Sequence, residues 1–240
     1  MRRWAKVIVD VVIAAVLLYA VALGVLFVLM GRSNTVAGKT LSALPGPAFM
    51  LLPLESMWTR ARRGALQVGQ TAPDFDLPTL DGTARVRRSG LRGVKPVALI
   101  FGSYTCPPFR REIPAVQEVF ETYRDRASFY LVYVEEAHAR DVWPLASNVK
   151  ANVVYETPRT AAERTGIATT CAQALTVRMP ILVDDMENRT VDAYAAWPTR
   201  MYVIDPSGTI AYKSQPGPFG FAAAELEHAL AAVVSASRAR

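Results

Sequence analysis

A single cysteine stands between an apolar run and a charged run in the stretch FGSYTCPPFRREIP, residues 101–114. Pro107 follows Cys106 and suits the first turn of a helix, because the N–H that proline lacks would have no intrahelical partner there. The sulfur would then lie at the positive end of a helix dipole, where a thiol pKa of about 8.5 is lowered and the nucleophilic thiolate becomes populated. Arg110 and Arg111, one turn further on, would add to this shift. The pattern favours a reactive thiol at Cys106 over a small buried side chain.

The elements predicted around Cys106 are those of an α/β domain. Apolar runs predict strands at 96–101, 129–134 and 180–183, and a hairpin formed by 201–204 and 209–212. Helical spacing predicts helices at 113–123, 159–175 and 222–234. This order predicts a mixed sheet with helices on both faces. Cys106 would follow the first central strand, at the edge of the sheet where α/β proteins place their functional crevices.

The N-terminal segment 11–31 contains no charged residue and is rich in Val, Leu and Ala. As a helix it would extend about 30 Å, which matches the hydrocarbon core of a bilayer. This length favours a retained single-pass anchor over a cleaved signal peptide, whose apolar region is shorter. Arg2, Arg3 and Lys6 precede the segment, whereas Arg32 and Lys39 follow it. The excess of positive charge before the segment is slight, and it favours a cytoplasmic N-terminus.

These features divide the chain into an anchor at 1–31, a juxtamembrane tether at 32–66 and a catalytic domain at 67–240. The tether is interrupted by Pro45, Pro47 and Pro53, and its apolar run 48–54 is too short to cross a bilayer. It is interpreted either as a segment that lies on the membrane surface and ends in a basic patch, or as a simple linker.

Composition excludes several other classes of protein. The 27 basic residues exceed the 21 acidic ones by only six, and no aromatic and basic interleaving accompanies them, which argues against a nucleic-acid partner. Two cysteines are too few for a disulfide scaffold, and two histidines leave no Cys/His cluster for a metal. We therefore expect neither a metal nor a bound cofactor.

An ordered set of motifs resembles the iodothyronine deiodinase family, a branch of the thioredoxin-like, peroxiredoxin-related proteins. The motifs are PDFDLPTLDG, PVALIFGSYTCPPFRREIP, FYLVYVEEAH, MPILVDDMEN, AYAAWPTRMYVID and IAYKSQPGPFGF, which together extend from about residue 68 to the C-terminus. The resemblance implies a thioredoxin-like fold, in which a mixed central sheet is flanked by helices, preceded by an N-terminal single transmembrane helix. The family's active centre is a selenocysteine in a run like GSCT-Sec-PPF, so Cys106 stands at the selenocysteine position.

The resemblance also implies a reaction and its partners. The Cys106 thiolate would attack the halogen of a small aromatic, iodothyronine-like substrate, and an external thiol reductant would then restore the thiol. The family's EEAH signature corresponds to Glu135, Glu136 and His138, and the histidine would contact the substrate phenol and assist proton transfer. A homodimer is compatible with the resemblance.

Further site residues come from the same match. Arg200 corresponds to an arginine that is proposed to pair with a substrate carboxylate, and Pro198 takes the place of the cis-proline that faces the active cysteine in thioredoxin folds. Ser103 and Thr105 stand three residues and one residue before Cys106 and are expected to support it.

Three departures from the family pattern weigh against efficient deiodination of iodothyronines. Cysteine replaces selenocysteine and is a weaker nucleophile, Tyr104 stands where several members have a nearby cysteine, and Pro158 stands where a second family histidine is expected. None of these departures affects the predicted fold.

Two other functions remain open at this point. A peroxiredoxin-like thiol peroxidase would use the hydroxyl of Ser103, although Leu99 stands where that motif has proline. A non-catalytic thioredoxin-fold redox module would need only the fold. Phe109, where a C-x-x-C motif would end, argues against a dithiol reductase. Cys171 is a candidate resolving cysteine, but its apolar helical surroundings favour a buried structural role.

Overall fold

The computed structural model describes residues 2–93 and 95–238. The chain divides into two compact units, Met1–Arg62 and Arg63–Arg240, and each is described by itself. The predicted boundaries at 31 and 66 follow composition, whereas the first compact unit contains both the anchor and nearly all of the segment predicted as a tether.

The first unit is entirely helical apart from its connections. Helix α1, Arg2–Met30, has 29 residues and is long and apolar enough to cross a membrane. Helices α2, Asn34–Ser42, α3, Ala48–Leu51, and α4, Leu54–Ala61, follow it, and both α2 and α4 pack against α1. The segment predicted as a tether therefore consists largely of short helices, which its prolines separate from one another.

The second unit is built on a five-stranded mixed sheet with the order β5-β4-β3-β6-β7. Its strands are β3, Val97–Gly102, β4, Ser128–Tyr133, β5, Ile181–Val183, β6, Arg200–Ile204, and β7, Ile210–Lys213. Strands β3, β4 and β5 are parallel, whereas β6 runs antiparallel to β3 and β7 antiparallel to β6. The predicted mixed sheet, including the terminal hairpin, is confirmed.

Helices cover this sheet; three of them correspond to the predicted helices at 113–123, 159–175 and 222–234, whereas two short helices of five residues were not predicted. They are α5, Pro107–Tyr123, α6, Ala146–Lys150, α7, Ala161–Ala174, α8, Arg189–Ala193, and α9, Ala223–Arg238. Helix α5 begins at Pro107, as the suitability of that proline for a first helical turn predicted, and it extends the apolar spacing at 113–123 by six residues toward Cys106.

A small antiparallel pair was not predicted. Strands β1, Asp76–Pro78, and β2, Arg85–Arg87, face each other across the turn that Asp81 and Gly82 indicated in the sequence. Gly82 has φ +68°, a conformation that glycine adopts without strain. Three-residue strands are too short to give an alternating pattern, so only the turn was visible in the sequence.

Buried side chains cluster at the end of β3 that leads to Cys106. Every residue of β3 and β6 is buried, as expected for central strands with helices on both faces. Three aromatic rings, from Phe101, Tyr194 and Tyr202, meet there with centroids 5.1 to 6.0 Å apart. Each such contact stabilises by about 0.5 to 1.5 kcal/mol beyond area burial, so this end of the sheet is a rigid support for the residues that follow it.

Candidate active site

Cys106 lies where the sequence predicted it, between β3 and α5. It is the N-terminal cap of α5, with Pro107 as the first helical residue. Its N–H donates to the Ser103 carbonyl at 3.2 Å, and its own carbonyl accepts the Arg110 N–H at 3.1 Å. The thiol is therefore held at the helix N-terminus by a tight turn before it and the first helical hydrogen bond after it.

The predicted fall in the Cys106 pKa is wrong for this conformation. The side chain is 1% exposed. Burial raises the pKa of the thiol to about 12, and the N–H of Phe109 and the Arg110 guanidinium only partly oppose this rise. The helix dipole that motivated the prediction is present, but loss of hydration of the thiolate outweighs it. Arg111 is not among the groups that act on the thiol.

Phe109 fills the position at which a dithiol motif would have its second cysteine. Its side chain is fully buried and lies directly over Gly102, where an added Cβ would collide with the Phe109 ring. Glycine at the end of β3 is thus required for this close contact. The Phe109 ring therefore packs the first turn of α5 against β3. A dithiol redox motif would have its second sulfur at this position.

A hydrogen-bonded carboxylate connects the turn before Cys106 to the segment after β4. Glu136 is buried and accepts both the N–H of Thr105, at 2.9 Å, and the Thr105 hydroxyl, at 2.6 Å. Its other oxygen accepts the Tyr133 hydroxyl, which in turn accepts the Tyr104 N–H at 3.1 Å. Burial raises the pKa of Glu136, whereas the hydrogen bonds from Thr105 and Tyr133 oppose the rise.

Two further contacts join the same two segments. The Ser103 hydroxyl accepts the Ala137 N–H at 3.0 Å, and the Thr105 hydroxyl accepts the His138 N–H at 3.0 Å. The hydroxyl residues before Cys106 therefore position the backbone that carries His138. The structure thus brings Ser103, Thr105, Cys106, Glu136 and His138 together. Glu135 lies beside them and is half-buried.

Residues that the sequence did not single out complete this arrangement. The Asn148 amide donates to the Thr105 carbonyl at 2.8 Å, and its oxygen accepts the Arg110 guanidinium at 2.8 Å. Arg110 also donates to the Tyr104 carbonyl at 2.6 Å. Asn148 lies in the short helix α6, more than forty residues after Cys106, so no local motif could identify it. Among the residues that the structure describes, no group of three His, Cys, Asp or Glu side chains could hold a metal ion.

His138 is a neutral, oriented imidazole. Its Nδ1 lies 3.2 Å from the Trp143 carbonyl, and its ring packs on the Trp143 indole with centroids 4.3 Å apart. Burial lowers the pKa of His138 to about 4. Because a carbonyl can only accept, Nδ1 carries the proton and Nε2 is left as a hydrogen-bond acceptor.

Pro198 and Arg200 lie at the same end of the sheet as Cys106, because Arg200 pairs with Phe101 near the end of β3. The Trp197–Pro198 peptide bond is cis, as the resemblance implied. The neighbouring Thr199 hydroxyl donates to the Phe101 carbonyl at 2.6 Å, which fastens this segment to the end of β3. Arg200 is fully buried, and its guanidinium donates to the Arg63 carbonyl at 3.3 Å. In this conformation the guanidinium is shielded from solvent.

Cys171 lies in the last turns of α7 and is fully buried. Burial raises the pKa of its thiol, and the Glu136 carboxylate adds to the rise. Both cysteines are free thiols. The prediction that Cys171 is a buried residue is confirmed, whereas its role as a resolving cysteine stays a prediction.

The fold has counterparts among solved structures. A protein of Chlorobium tepidum described as a thiol:disulfide interchange protein of the DsbE type matches 71% of this chain and 99% of its own, with a TM-score of 0.52 and 20% identity. A hypothetical protein of Sinorhizobium meliloti matches 72% of this chain and 87% of its own, with a TM-score of 0.53 and 18% identity. At these identities the likeness shows the thioredoxin-like fold alone.

Sequence relatives are more informative about the family. Type I iodothyronine deiodinase of Xenopus laevis is 32% identical over 173 residues, which is 72% of this chain and 66% of the frog protein. Thyroxine 5-deiodinases of Sparus aurata and Gallus gallus are 30% and 32% identical over 75% and 74% of this chain, and 67% and 69% of their own lengths. The family model described as iodothyronine deiodinase matches residues 4–233. With its cysteine at the N-terminus of α5 and its thioredoxin-like sheet, the chain therefore belongs to the iodothyronine deiodinase family.

Proposed function

We propose that this protein is a membrane-anchored thiol oxidoreductase that removes iodine from an aromatic, iodothyronine-like substrate. The Cys106 sulfur takes the iodine as I⁺, the C–I electron pair stays with the ring carbon, and a proton replaces the iodine there. A thiolate of an external dithiol then attacks the sulfenyl iodide, releases iodide and forms a mixed disulfide. The second thiol of the dithiol resolves this disulfide and returns Cys106 to its reduced form.

One observation carries this proposal: the cysteine at the family's selenocysteine position caps a helix, and the preceding Thr105 hydroxyl holds the backbone N–H of His138, whose imidazole is neutral. The Nε2 acceptor of His138 suits a phenol hydroxyl, the group expected on an iodothyronine-like ring. Because His138 is neutral at pH 7, it acts first as an acceptor and can return a proton only after taking one up. This refines the predicted role of His138 as a proton donor.

The reaction needs a thiolate, although the resting thiol is protonated because of its burial. We propose that substrate entry opens the pocket enough to hydrate the sulfur, after which the Phe109 N–H and Arg110 stabilise the negative charge. Once the site is open, the same movement would bring Arg200 within reach of a substrate carboxylate, a planar ligand that suits a guanidinium.

The peroxidase alternative receives less support from the geometry. It requires a hydroxyl and an arginine that polarise a peroxide beside the cysteine. The Ser103 hydroxyl already accepts the Ala137 N–H, and Arg110 already binds the Tyr104 carbonyl and Asn148. These groups are engaged in fixing the backbone around Cys106.

Localisation follows from helix α1. We propose a single-pass protein whose N-terminus is cytoplasmic, on the basis of Arg2, Arg3 and Lys6 before the span. Full-length protein should remain in membranes after washing with alkaline carbonate. Recovery of intact chain in the supernatant would contradict the proposal.

The function is tested by measuring dithiol-dependent iodide release and peroxide consumption in parallel with full-length protein in detergent. His138→Ala should lower iodide release roughly 100-fold, as typical for the loss of an acid or base. Arg200→Ala should mainly raise KM for substrates that carry a carboxylate, and should change KM little for an iodophenol without one. Brisk peroxide turnover, no iodide release from any iodophenol and no effect of His138→Ala would together replace this proposal with the peroxidase.

A further inference from the structure

A second apolar segment follows helix α1 in the first unit. Between Lys39 and Glu55 the chain carries no charge, and residues 43–54 read ALPGPAFMLLPL. Three large side chains near its centre point away from the unit: Phe49 is 48% exposed, Met50 90% and Leu51 77%. Such a cluster on a water-facing loop would be unfavourable, because about 25 cal/mol is lost for each Å² of apolar surface left in water. The segment is called the apolar tip below.

The helices of the first unit pack so that the apolar tip lies beside α1, at a level before the C-terminal end of that helix. At the far end of α4, the Arg62 guanidinium donates to the Arg32 carbonyl at 2.9 Å, next to the end of α1. On α1, Leu26 and Met30 are buried and Leu23 is half-buried, while most other residues of the helix are exposed. Helices α2 and α4 therefore lie back along the last turns of α1. The apolar tip, which joins them, lies at the level of the interior of α1.

The lengths of the helices give the depth of the tip. The uncharged part of α1 is about 30 Å long, the thickness of a hydrocarbon core, so its C-terminal end lies near the membrane surface. Helix α2 has nine residues and extends about 13 Å back from that end. The tip is thus expected about 10 Å below the end of α1, which is the depth of the boundary between headgroups and acyl chains.

The backbone of the tip is suited to a medium without water. Pro45, Pro47 and Pro53 have no N–H to satisfy. Of the nine other residues, eight donate their N–H to backbone carbonyls of the chain, and these are Ala43, Leu44, Ala48, Phe49, Met50, Leu51, Leu52 and Leu54. Both the N–H and the C=O groups of an irregular segment need partners in lipid, and on the donor side this tip has almost none left unsatisfied.

We propose that residues 43–54 form a re-entrant apolar tip that inserts into the lipid leaflet in which α1 ends. Its partner is the acyl-chain region of the bilayer, and the insertion is continuous with the surface that α1 offers to lipid. Lys39 and Glu55 flank the tip and reach the headgroups, since a lysine stem can lie along apolar surface while its charge stays hydrated. The first unit would then contact the acyl-chain region of the bilayer through both α1 and the apolar tip.

The proposal is tested with full-length protein in phosphatidylcholine vesicles that contain spin-labelled lipids. Cysteine is introduced by Met50→Cys or, separately, Leu51→Cys, and labelled with an environment-sensitive NBD maleimide. Thr35→Cys is the matched control, because Thr35 is exposed in the first turn of α2, beside the end of α1. Unsubstituted protein measures background labelling of its two buried cysteines.

Both tip labels should emit at shorter wavelength than the Thr35 label and should be quenched at least twofold more strongly by lipids spin-labelled on the upper acyl chain. Water-like, unquenched emission at both tip positions would overturn the proposal. A shift to shorter wavelength without lipid quenching would also overturn it, since the tip would then be covered by protein, such as a second copy of the chain. Two labelled positions guard against a single substitution that disturbs folding.

Discussion

The two cysteines of this chain share a resting state but differ in their surroundings. Both are fully buried free thiols, and burial raises the pKa of both. Cys106 caps α5, next to the Phe109 N–H and Arg110, whereas Cys171 lies within α7, where its carbonyl accepts the Leu175 N–H. Burial alone therefore does not distinguish a reactive cysteine from a structural one. The distinction lies in the groups that would stabilise a thiolate once water or substrate reaches the sulfur.

The largest expected difference between the two regions is catalytic. Cys106→Ser should abolish dithiol-dependent iodide release, because a hydroxyl is neither acidic nor soft enough to accept iodine. Cys171→Ser, the matched control, should keep activity within about twofold when an external dithiol is supplied, because the reductant then resolves the intermediate. Iodide release by the two variants and the parent protein is compared under one set of conditions. Equal losses in both would make Cys171 part of the catalytic cycle.

The next effect is the response of stability to acid. The His138 imidazole of the unfolded chain takes up a proton below about pH 6.5, whereas the buried one does so only near pH 4. The unfolded state therefore binds more protons in this window, and the free energy of unfolding falls as the pH is lowered from 6.5 to 4, by about 3 kcal/mol. His138→Gln should remove this part of the acid sensitivity.

Denaturant unfolding of full-length protein in detergent at pH 7 and pH 4.5 measures the difference. The matched control is His228→Gln, an exposed substitution on α9 that leaves the surroundings of His138 intact. If the His138→Gln variant lost as much stability at pH 4.5 as the parent, His138 would have to be charged or solvated in the folded protein. The buried neutral imidazole would then be contradicted.

A third comparison tests the hydrogen bonds that distinguish the regions. The Thr105 hydroxyl donates to buried Glu136 and accepts the His138 N–H, whereas the Thr169 hydroxyl, near Cys171, only donates to the Thr165 carbonyl of its own helix at 2.9 Å. Thr105→Val should lower the free energy of unfolding by about 2 kcal/mol, because two buried polar groups lose a partner. Thr169→Val should change it by less than about 0.5 kcal/mol, and denaturant unfolding separates the two. Similar losses of unfolding free energy in the two variants would mean that the Thr105 hydrogen bonds stabilise the protein no more than an ordinary hydrogen bond within a helix.

The smallest expected difference is in labelling of the resting thiols. Because burial keeps both protonated, alkylation at pH 6.5 should be slow at both, with Cys106 at most roughly threefold faster than Cys171. Mass spectrometry after timed iodoacetamide treatment measures both rates in one sample, and unfolded protein supplies the fast reference. Rapid, selective labelling of Cys106 at pH 6.5 would restore the low pKa that its position at a helix N-terminus first suggested.

Sequence patterns identified most of the sheet and part of the site. Strands β3, β4 and β6 are fully or largely buried, and their continuous apolar runs made them visible. The β1–β2 pair was missed because three residues give too little pattern. Tyr133 was placed in a strand, but its hydroxyl contact with Glu136 depends on how that strand ends. Asn148 was missed because its partners, Thr105 and Arg110, are about forty residues away.

The sequence by itself determined where Cys106 lies in the fold. A cysteine followed by proline, after a buried strand and before a helix, has one expected position in an α/β sheet, because strand and helix geometry is set by local spacing. Only the tertiary structure decided the charge state of the groups there. Whether Cys106 and His138 are charged depends on how much water the surrounding elements exclude, and those elements come from residues distant in the chain. Desolvation is a property of the packed fold, so no local motif could have predicted that it outweighs the helix dipole.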